Sequence, residues 1–158
     1  MKARSIIRLV ACLALCFGVA ALGSLATTPK IPTWYAGLIK PSFTPPNSVF
    51  PVAWTILYAL MALSLWRLWE APASLDRSRA FALSGAQLVA NLSWSWVFFG
   101  AQSIGGGLVA ILALDALVLA ALLVSWRVDR IASAALAPYL GWILFATALN
   151  AAIWRLNA

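Results

Sequence analysis

Histidine is absent from this sequence, and charge of either sign is scarce. Only 9% of its 158 residues are charged, including four acids, whereas soluble domains average about 25%. Two cysteines without a histidine make a poor metal site, and no serine or cysteine has a histidine to act as its base. These absences argue against a conventional hydrolase, a metalloenzyme or an ordinary acid-base catalyst.

What the sequence has instead is apolar length, since 64% of its residues are hydrophobic. Five apolar runs each approach the roughly 20 residues that a helix needs to cross a bilayer. They lack period-2 alternation, which argues against the tilted strands of a membrane barrel. We therefore predict an all-α integral membrane protein, a bundle of five transmembrane helices forming one domain over residues 1–158. The predicted spans cover residues 6–26, 48–69, 81–101, 108–126 and 134–154.

Basic residues are divided unequally between the two ends of these spans. By the positive-inside rule, the N-terminus is predicted to be cytoplasmic in a bacterial inner membrane, with the C-terminus outside. The formal charge of +7 is then a sign of topology and does not indicate a nucleic-acid partner. The N-terminal end carries Lys2, Arg4, Arg8, Arg67, Arg77, Arg79, Arg127 and Arg130, and the opposite end carries Lys30, Lys40 and Arg155.

The N-terminus shares features with a secretion signal, because a basic start precedes an apolar core. The letters LVAC, ending at Cys12, resemble a lipoprotein cleavage box. Arg8 interrupts the core, however, and cleavage would remove the first span, so we interpret the segment as an uncleaved helix. Cys12 and Cys16 lie one helical turn apart, where we predict that both thiols pack as small hydrophobes and form neither a metal site nor a disulfide.

The connection between the first two spans, residues 27–47, is rich in proline and aromatic residues. From Trp34 to Pro46 it reads WYAGLIKPSFTPP. Proline fixes φ, removes a donor and pushes the preceding residue toward extended conformations. We predict a semi-rigid, non-helical lid loop that holds its aromatic side chains over a cavity and gates access to it.

Depth along the spans predicts where that cavity lies. Counting about 1.5 Å per residue from the ends nearest the lid brings several polar and aromatic residues to one level. The spacing also places them on shared helix faces, with Tyr58 one turn from the tryptophan of span two. Gln87 and Phe98 extend the face of span three, and Trp142, Leu149 and Ile153 that of span five. The layer comprises Trp54, Asn91, Trp94, Asp115, Ala146 and Asn150.

Each of these residues also has a simpler interpretation. Trp54 and Trp142 lie too deep for the interfacial belt, but they could fill space between helices. Asn91 and Asn150 could bond across helices. Asp115 is either a functional acid facing the bundle interior, with Asn91 or Gln87 as partner, or a hydrogen-bonded structural acid. Tryptophans near the span ends are predicted to be interface anchors, namely Trp66, Trp69, Trp126 and Trp154.

Small residues on the third span indicate a contact between two copies of the chain. Ala82, Ala86 and Ala90 form a small-xxx-small ridge beside the face that carries Asn91. Such ridges allow close approach of a second helix. We predict a homodimer through span three.

Four segments together resemble one known family. They are the lid itself, FPVAWTILYALM from Phe50, AQLVANLSWSWVFFG from Ala86 and APYLGWILFATALN from Ala137. In this order on five spans, they are similar to the tryptophan-rich sensory protein or translocator protein family (TspO/MBR), once called the peripheral-type benzodiazepine receptor. The resemblance covers the chain from about Trp34 to Arg155.

The resemblance implies a dimeric membrane receptor of the bacterial cell envelope that binds porphyrins such as protoporphyrin IX beneath its first loop. No cofactor is implied, because porphyrin would be ligand or substrate. Animal members carry a sterol-recognition tyrosine where this chain has Ala151, so a tetrapyrrole is favoured over a sterol. The implied and predicted ligand contacts together are Tyr35, Pro45, Trp54, Tyr58, Asn91, Trp94, Phe98, Trp142, Ala146 and Leu149.

Three functions remain open for such a protein. It could sense porphyrin, or it could degrade porphyrin in a reaction that uses light and oxygen, with Trp54 and Trp142 as redox-active neighbours. It could also transport a tetrapyrrole or a sterol. Transport is disfavoured because paired buried charges, inverted repeats and broken helices are not evident in the sequence.

Overall fold

The computed structural model describes residues 3–158, and its regular elements are all helical. Five α-helices follow one another, which confirms the all-α prediction. A 3₁₀ turn, Thr28–Lys30, and a first π-turn, Ile31–Tyr35, continue the first helix, and a second π-turn, Trp96–Gly100, continues the third. The helices are α1 Ala3–Thr27, α2 Val49–Glu70, α3 Leu75–Ser95, α4 Ile104–Val128 and α5 Arg130–Asn157.

Three of the helices begin at a polar residue that caps the first turn. Ser74 accepts a hydrogen bond from the backbone N–H of Arg77 before α3, and Ser103 accepts one from Gly106 before α4. Asp129 accepts one from Ala132 before α5. Such caps satisfy donors that the first turn of a helix leaves unpaired. The short connections therefore stop one helix and start the next within a few residues.

Asp129 also ties the α4–α5 connection to α2. Its carboxylate accepts hydrogen bonds from Arg67 Nη2 at 2.6 Å and Nε at 3.1 Å. Burial raises the pKa of Asp129, but the Arg67 hydrogen bonds, the Ala132 N–H and the guanidinium charge outweigh it and hold the pKa below its usual value. The pair therefore remains charged at neutral pH and stabilises the end of the bundle that holds Arg67 and Asp129, called the basic end below.

Four helices among the described residues are long and apolar enough to span a membrane. They are α1 with its continuation to Tyr35, α2, α4 and α5. Helix α3 does not qualify by this criterion, because its first turns carry Asp76, Arg77 and Arg79 and its interior carries Gln87 and Asn91. Four of the five predicted spans thus meet this criterion.

The predicted lid differs most from the structure. Helical backbone runs without a break from α1 through the first π-turn, and the non-helical connection covers only residues 38–48. Trp34 and Tyr35, predicted to lie in an extended loop, are helical. They are held in the π-turn by packing against Phe98 and Phe99, with ring centroids 5.5 to 6.4 Å apart.

The two π-turns meet in this aromatic cluster. A π-turn closes each hydrogen bond one residue later than an α-helix does, so it widens the helix locally. In the second π-turn, the N–H of Ala101 donates to the carbonyl of Trp96 at 2.8 Å. The backbone then reverses direction at Gln102, whose φ of 54° lies in the left-handed region.

The main core runs along the middle of the bundle. Cys12 and Cys16 are free and buried in it, with 3% and 0% of their surfaces exposed, as the packing interpretation predicted. At the basic end, α1 is fastened to α2. Arg8 Nη1 lies 3.0 Å from Glu70 Oε1, and Trp66 Nε1 donates to the carbonyl of Ser5.

The tryptophans near the helix ends are exposed to different degrees. Trp69, Trp126 and Trp154 present between 36% and 54% of their surfaces, which suits side chains that reach lipid or the interface. Trp66 is more buried, and its indole N–H donates a hydrogen bond to the carbonyl of Ser5 within the bundle. It serves as a contact between helices in this structure.

Candidate functional site

A cavity of about 340 Å³ lies in the half of the bundle opposite the basic end, called the loop end below. Four helices surround it, and α4 contributes none of its side chains. Most of the lining is aromatic or aliphatic, and the lining residues include no charged side chain. The lining consists of Phe17, Ala20, Gly23, Ser24, Thr27, Thr28, Ile31, Tyr35, Asn47, Phe50, Pro51, Trp54, Thr55, Tyr58, Asn91, Trp94, Ser95, Phe98, Phe99, Trp142, Ala146, Leu149, Asn150 and Ile153.

Nine of the ten predicted contact residues line this cavity. The exception is Pro45, which is half-buried in the connection between α1 and α2. The helical continuation of α1 to Tyr35 takes the position expected for the loop, so the connection itself contributes only Asn47. The nine are Tyr35, Trp54, Tyr58, Asn91, Trp94, Phe98, Trp142, Ala146 and Leu149.

The floor of the cavity is a buried hydrogen-bond network centred on Asn91. The hydroxyl of Tyr58 donates to Asn91 Oδ1 at 2.6 Å, and Asn91 Nδ2 donates to the hydroxyl of Tyr139 at 3.0 Å. Exposure is 1% for Asn91 and 0% for Tyr139. The network joins α2, α3 and α5, so the asparagine fixes three walls relative to one another.

A second asparagine organises the opposite wall. Trp94 Nε1 donates to Asn150 Oδ1 at 3.3 Å, and Asn150 Nδ2 donates to the carbonyl of Ile104 at 2.9 Å. Helix α4 approaches closely here, because a Cβ at Gly107 would lie only 2.7 Å from Phe98 Cδ2. The lack of a side chain at Gly107 thus sets the position of Phe98 on the cavity wall.

Two indole donors on the cavity wall remain free. Within residues 3–158, the N–H groups of Trp54 and Trp142 have no protein acceptor, whereas that of Trp94 is used by Asn150. Trp54 packs on Tyr58 with ring centroids 5.7 Å apart, and Trp142 on Phe50 at 5.9 Å. A flat apolar ligand with hydrogen-bond acceptors fits such a surface.

Asp115 lies outside this cavity. Its Oδ2 accepts a hydrogen bond from Thr147 Oγ1 at 2.8 Å, and its Oδ1 is buried without a partner among the described residues. The prediction that Asn91 or Gln87 is the partner of Asp115 is therefore wrong. Counting residues along the spans placed Asp115 at the same depth as the part of α5 that it contacts. Such a count cannot show which way α4 is rotated about its axis, and so it did not identify the partner.

Sequence reasoning missed the contribution of α1. One face of this helix presents Phe17, Ala20, Ser24, Thr27 and Ile31 to the cavity. Their spacing of three or four residues is the helical repeat. That signal was available, but the hydroxyl and small side chains made it inconspicuous in an apolar helix.

The connection between α1 and α2, residues 38–48, is fastened to the end of α5. The backbone N–H of Ile39 donates to Asn157 Oδ1 at 3.0 Å, and Asn157 Nδ2 donates to the carbonyl of Ile39 at 2.8 Å. Lys40 Nζ lies 4.7 Å from the ring centre of Tyr35 and donates to the carbonyl of Leu38. These contacts close the loop end beside the cavity.

Comparison with known proteins identifies relatives along most of the chain. A family model described as "TspO/MBR family" matches residues 12–155. A tryptophan-rich protein TspO from Archaeoglobus fulgidus is 46% identical over 154 residues, covering 98% of this chain and 99% of that protein. The translocator protein of Homo sapiens is 35% identical over 126 residues, covering 78% and 75%. Protein CrtK from Rhodobacter capsulatus is 37% identical over 129 residues, covering 78% of each.

With several apolar helices and a family match over most of its length, this protein is a multi-pass integral membrane protein. Two of these relatives carry the names of a tryptophan-rich and a translocator protein. The chain belongs to the TspO/MBR family.

Proposed function

We propose that the protein is a membrane receptor that binds a porphyrin such as protoporphyrin IX in the cavity at the loop end. The observation that carries this proposal is the aromatic lining, in which Trp54 and Trp142 offer free indole donors and no charged side chain takes part. The flat apolar body of a tetrapyrrole can pack on the aromatic rings of the cavity, and its carboxylates can accept hydrogen bonds from the two indole N–H groups. Binding would link the protein to tetrapyrrole regulation or stress response.

Tryptophan fluorescence tests this proposal directly. Bound porphyrin should quench the tryptophans of the cavity, and Trp54→Phe combined with Trp142→Phe should lose most of that quenching. The matched control combines Trp69→Phe with Trp126→Phe, because those two side chains are exposed and do not line the cavity. A titration with protoporphyrin IX in darkness measures both pairs. Equal quenching in the cavity pair and the wild type would place the porphyrin elsewhere.

Light- and oxygen-dependent breakdown of porphyrin is a second candidate function. It is favoured by the position of Trp54, whose ring centre lies 5.7 Å from that of Tyr58 and 6.3 Å from that of Tyr139. A photoexcited porphyrin beside these oxidisable rings could take one electron from a ring and pass it to dioxygen, which is the terminal oxidant of the proposed reaction. Porphyrin absorbance that falls under light with wild type, but persists with the cavity pair of variants, would change the assignment from receptor to enzyme.

We further propose that α3 and its π-turn form the fifth span. Their 21 and 5 residues extend about 39 Å at the helical rise of 1.5 Å per residue. The polar side chains Gln87 and Asn91 are buried, whereas Val89 and Trp96 on other faces are exposed. A polar interior face lowers the apolar content of a span without exposing it to lipid. The excess of basic residues at the basic end favours a cytoplasmic N-terminus in a bacterial envelope.

A homodimer through α3 is part of the same proposal. Ala82 and Ala86 are exposed, and a Cβ at Gly85 between them would meet no atom within 4 Å. A second helix can therefore approach this flank closely. Ala90 is half-buried and lies at the edge of the ridge.

The dimer interface can be tested with one substitution. Ala86→Leu should force the helices apart and give a monomer in mild detergent, whereas porphyrin binding should persist because Ala86 does not line the cavity. Ala116→Leu is the control, since Ala116 is an exposed alanine on α4. Light scattering coupled to size-exclusion chromatography measures the mass. A stable dimer of the Ala86→Leu variant would reject this interface.

A further inference from the structure

We propose that the cavity receives its ligand sideways from the bilayer, through an opening between α1 and α2. The inference rests on the proposed function, because it concerns the ligand of that cavity. It adds that the ligand is a molecule already dissolved in the lipid leaflet at the loop end. The ligand does not pass through the 38–48 connection.

The opening is identified by residues that line the cavity and are exposed at the same time. On the α1 side these are Ser24 and Thr28, and on the α2 side they are Pro51, Thr55 and Asn47, which lies two residues before α2 at the loop end of the opening. Phe17, also a lining residue, is 38% exposed at the deep end of the gap. A residue with both properties lies at a mouth, and here the mouth has one helix on each side.

The mouth lies at the level of the lipid chains. Thr55 follows the start of α2 by six residues and so lies about 9 Å below it, at 1.5 Å per residue. On the same basis, Ser24 lies about 16 Å along the helix from Tyr35, where the first π-turn ends. Both positions fall within a hydrocarbon layer about 30 Å thick.

The gap closes toward the basic end. There α1 and α2 are joined by the Arg8–Glu70 ion pair and by the hydrogen bond from Trp66 to Ser5. Cys12 and Cys16 pack with Leu57 and Met61 in the main core. The two helices are thus pinned at one end, and at the other they are separated by the cavity.

The rim of the mouth suits an apolar molecule. Two of its hydroxyl groups donate within their own helices, Ser24 to the carbonyl of Ala21 at 2.7 Å and Thr55 to that of Pro51 at 2.8 Å. An apolar ring passing between them would therefore strip no donor of its partner. No charged side chain belongs to the lining. The ligand class is a flat, largely apolar molecule, as the proposed porphyrin is.

Entry through the 38–48 connection would require more bonds to break. Both hydrogen bonds between the backbone of Ile39 and the side-chain amide of Asn157 would have to open. Trp34 and Tyr35 would also have to leave their contacts with Phe98 and Phe99. The side opening requires neither change.

The experiment measures how fast protoporphyrin IX quenches tryptophan fluorescence when porphyrin-loaded phosphatidylcholine vesicles are mixed with protein in nanodiscs. Thr55→Phe and Ser24→Phe place a bulky ring in the mouth, and each should slow association about tenfold. Matched controls are Ile56→Phe and Leu25→Phe, since both neighbours are exposed but do not line the cavity. These controls should associate like the wild type.

Asn157→Ala separates the side route from the loop route. It removes both hydrogen bonds to Ile39 and one to the carbonyl of Ile153 within α5, but Asn157 itself does not line the cavity, so it should leave the association rate unchanged. Faster association in this variant, with no effect of the two mouth variants, would overturn the side opening and restore the loop as the gate. Absence of quenching in the wild type would instead reject porphyrin binding itself, so the two failures are distinguishable.

Discussion

Asn91→Leu is expected to destabilise the protein by about 2–6 kcal/mol, because it leaves two buried hydroxyl groups without a partner. Tyr58 and Tyr139 expose only 6% and 0% of their surfaces, and Asn91 is the protein partner of both hydroxyls. Each unsatisfied hydroxyl costs about 1–3 kcal/mol. The loss should appear as a lower midpoint of thermal unfolding, followed by circular dichroism in detergent.

The triple variant Asn91→Leu, Tyr58→Phe, Tyr139→Phe is the control for this prediction. It removes both hydroxyls together with their partner, and it should recover most of the lost stability. A single variant Asn91→Leu that unfolds at the wild-type temperature would show that the network contributes little. A triple variant less stable than the single one would mean that the tyrosine hydroxyls have other partners.

Gly107→Ala is expected to weaken both the fold and porphyrin binding. The added Cβ would lie 2.7 Å from Phe98 Cδ2, 3.0 Å from Phe98 Cβ and 3.1 Å from Asn150 Oδ1. Because one of these atoms adjoins the backbone, the ring cannot simply rotate away, and α3 or α4 must shift. Overpacking of this kind costs about 1–3 kcal/mol, and the displaced Phe98 should reduce the space for the ligand.

The chain supplies a matched glycine for comparison. A Cβ at Gly141, which lies in α5, would meet no atom within 4 Å. Gly141→Ala should therefore raise stability by up to about 1 kcal/mol through helix propensity alone. Thermal unfolding and porphyrin titration of the two variants measure the difference. Equal effects of the two substitutions would contradict the role assigned to the contact between Gly107 and Phe98.

Helix number and order could be predicted from the sequence because apolar length is a direct consequence of the bilayer. The ends were harder to predict. Ser74, Ser103 and Asp129 start helices several residues before the apolar runs begin, since capping groups permit polar first turns outside the hydrocarbon. A hydropathy pattern does not contain that information.

The first π-turn shows a different limit. Proline was interpreted as a signal against helix from residue 27 onward, yet Pro29 and Pro32 lie at the starts of the 3₁₀ turn and the π-turn. Both lie where the hydrogen-bond register of the continuous helix changes, from α to 3₁₀ and from 3₁₀ to π, so their missing N–H groups interrupt no regular α-helical turn. Packing of Trp34 and Tyr35 against α3 then decides the conformation. Local sequence could not reveal this contact.

Within the site, helical spacing identified faces better than partners. The face of α5 that contains Trp142 and Ala146 also contains Tyr139, three residues earlier, so the third member of the Asn91 network could have been found by extending the same repeat. The link from Asp115 to Thr147 could not. It depends on how α4 is rotated, and a uniformly apolar helix gives no signal of its rotation.

The paired π-turns have a consequence for how the sequence can change in length. Because a π-turn holds one residue more than the α-helical turn it replaces, deleting one residue from 31–35 or 96–100 would restore regular α-helix. A π-turn makes about the same rotation as the α-helical turn with one residue fewer, so the flanking segments would keep their orientation and only the widened turn would be lost. Trp34 and Phe98 lie in these two turns and would lose their contact, whereas the other walls of the cavity would stay in place. A deletion within 31–35 or 96–100 should therefore spare the bundle and weaken ligand binding, whereas a deletion elsewhere in α1 or α3 would rotate the residues beyond it by about 100°.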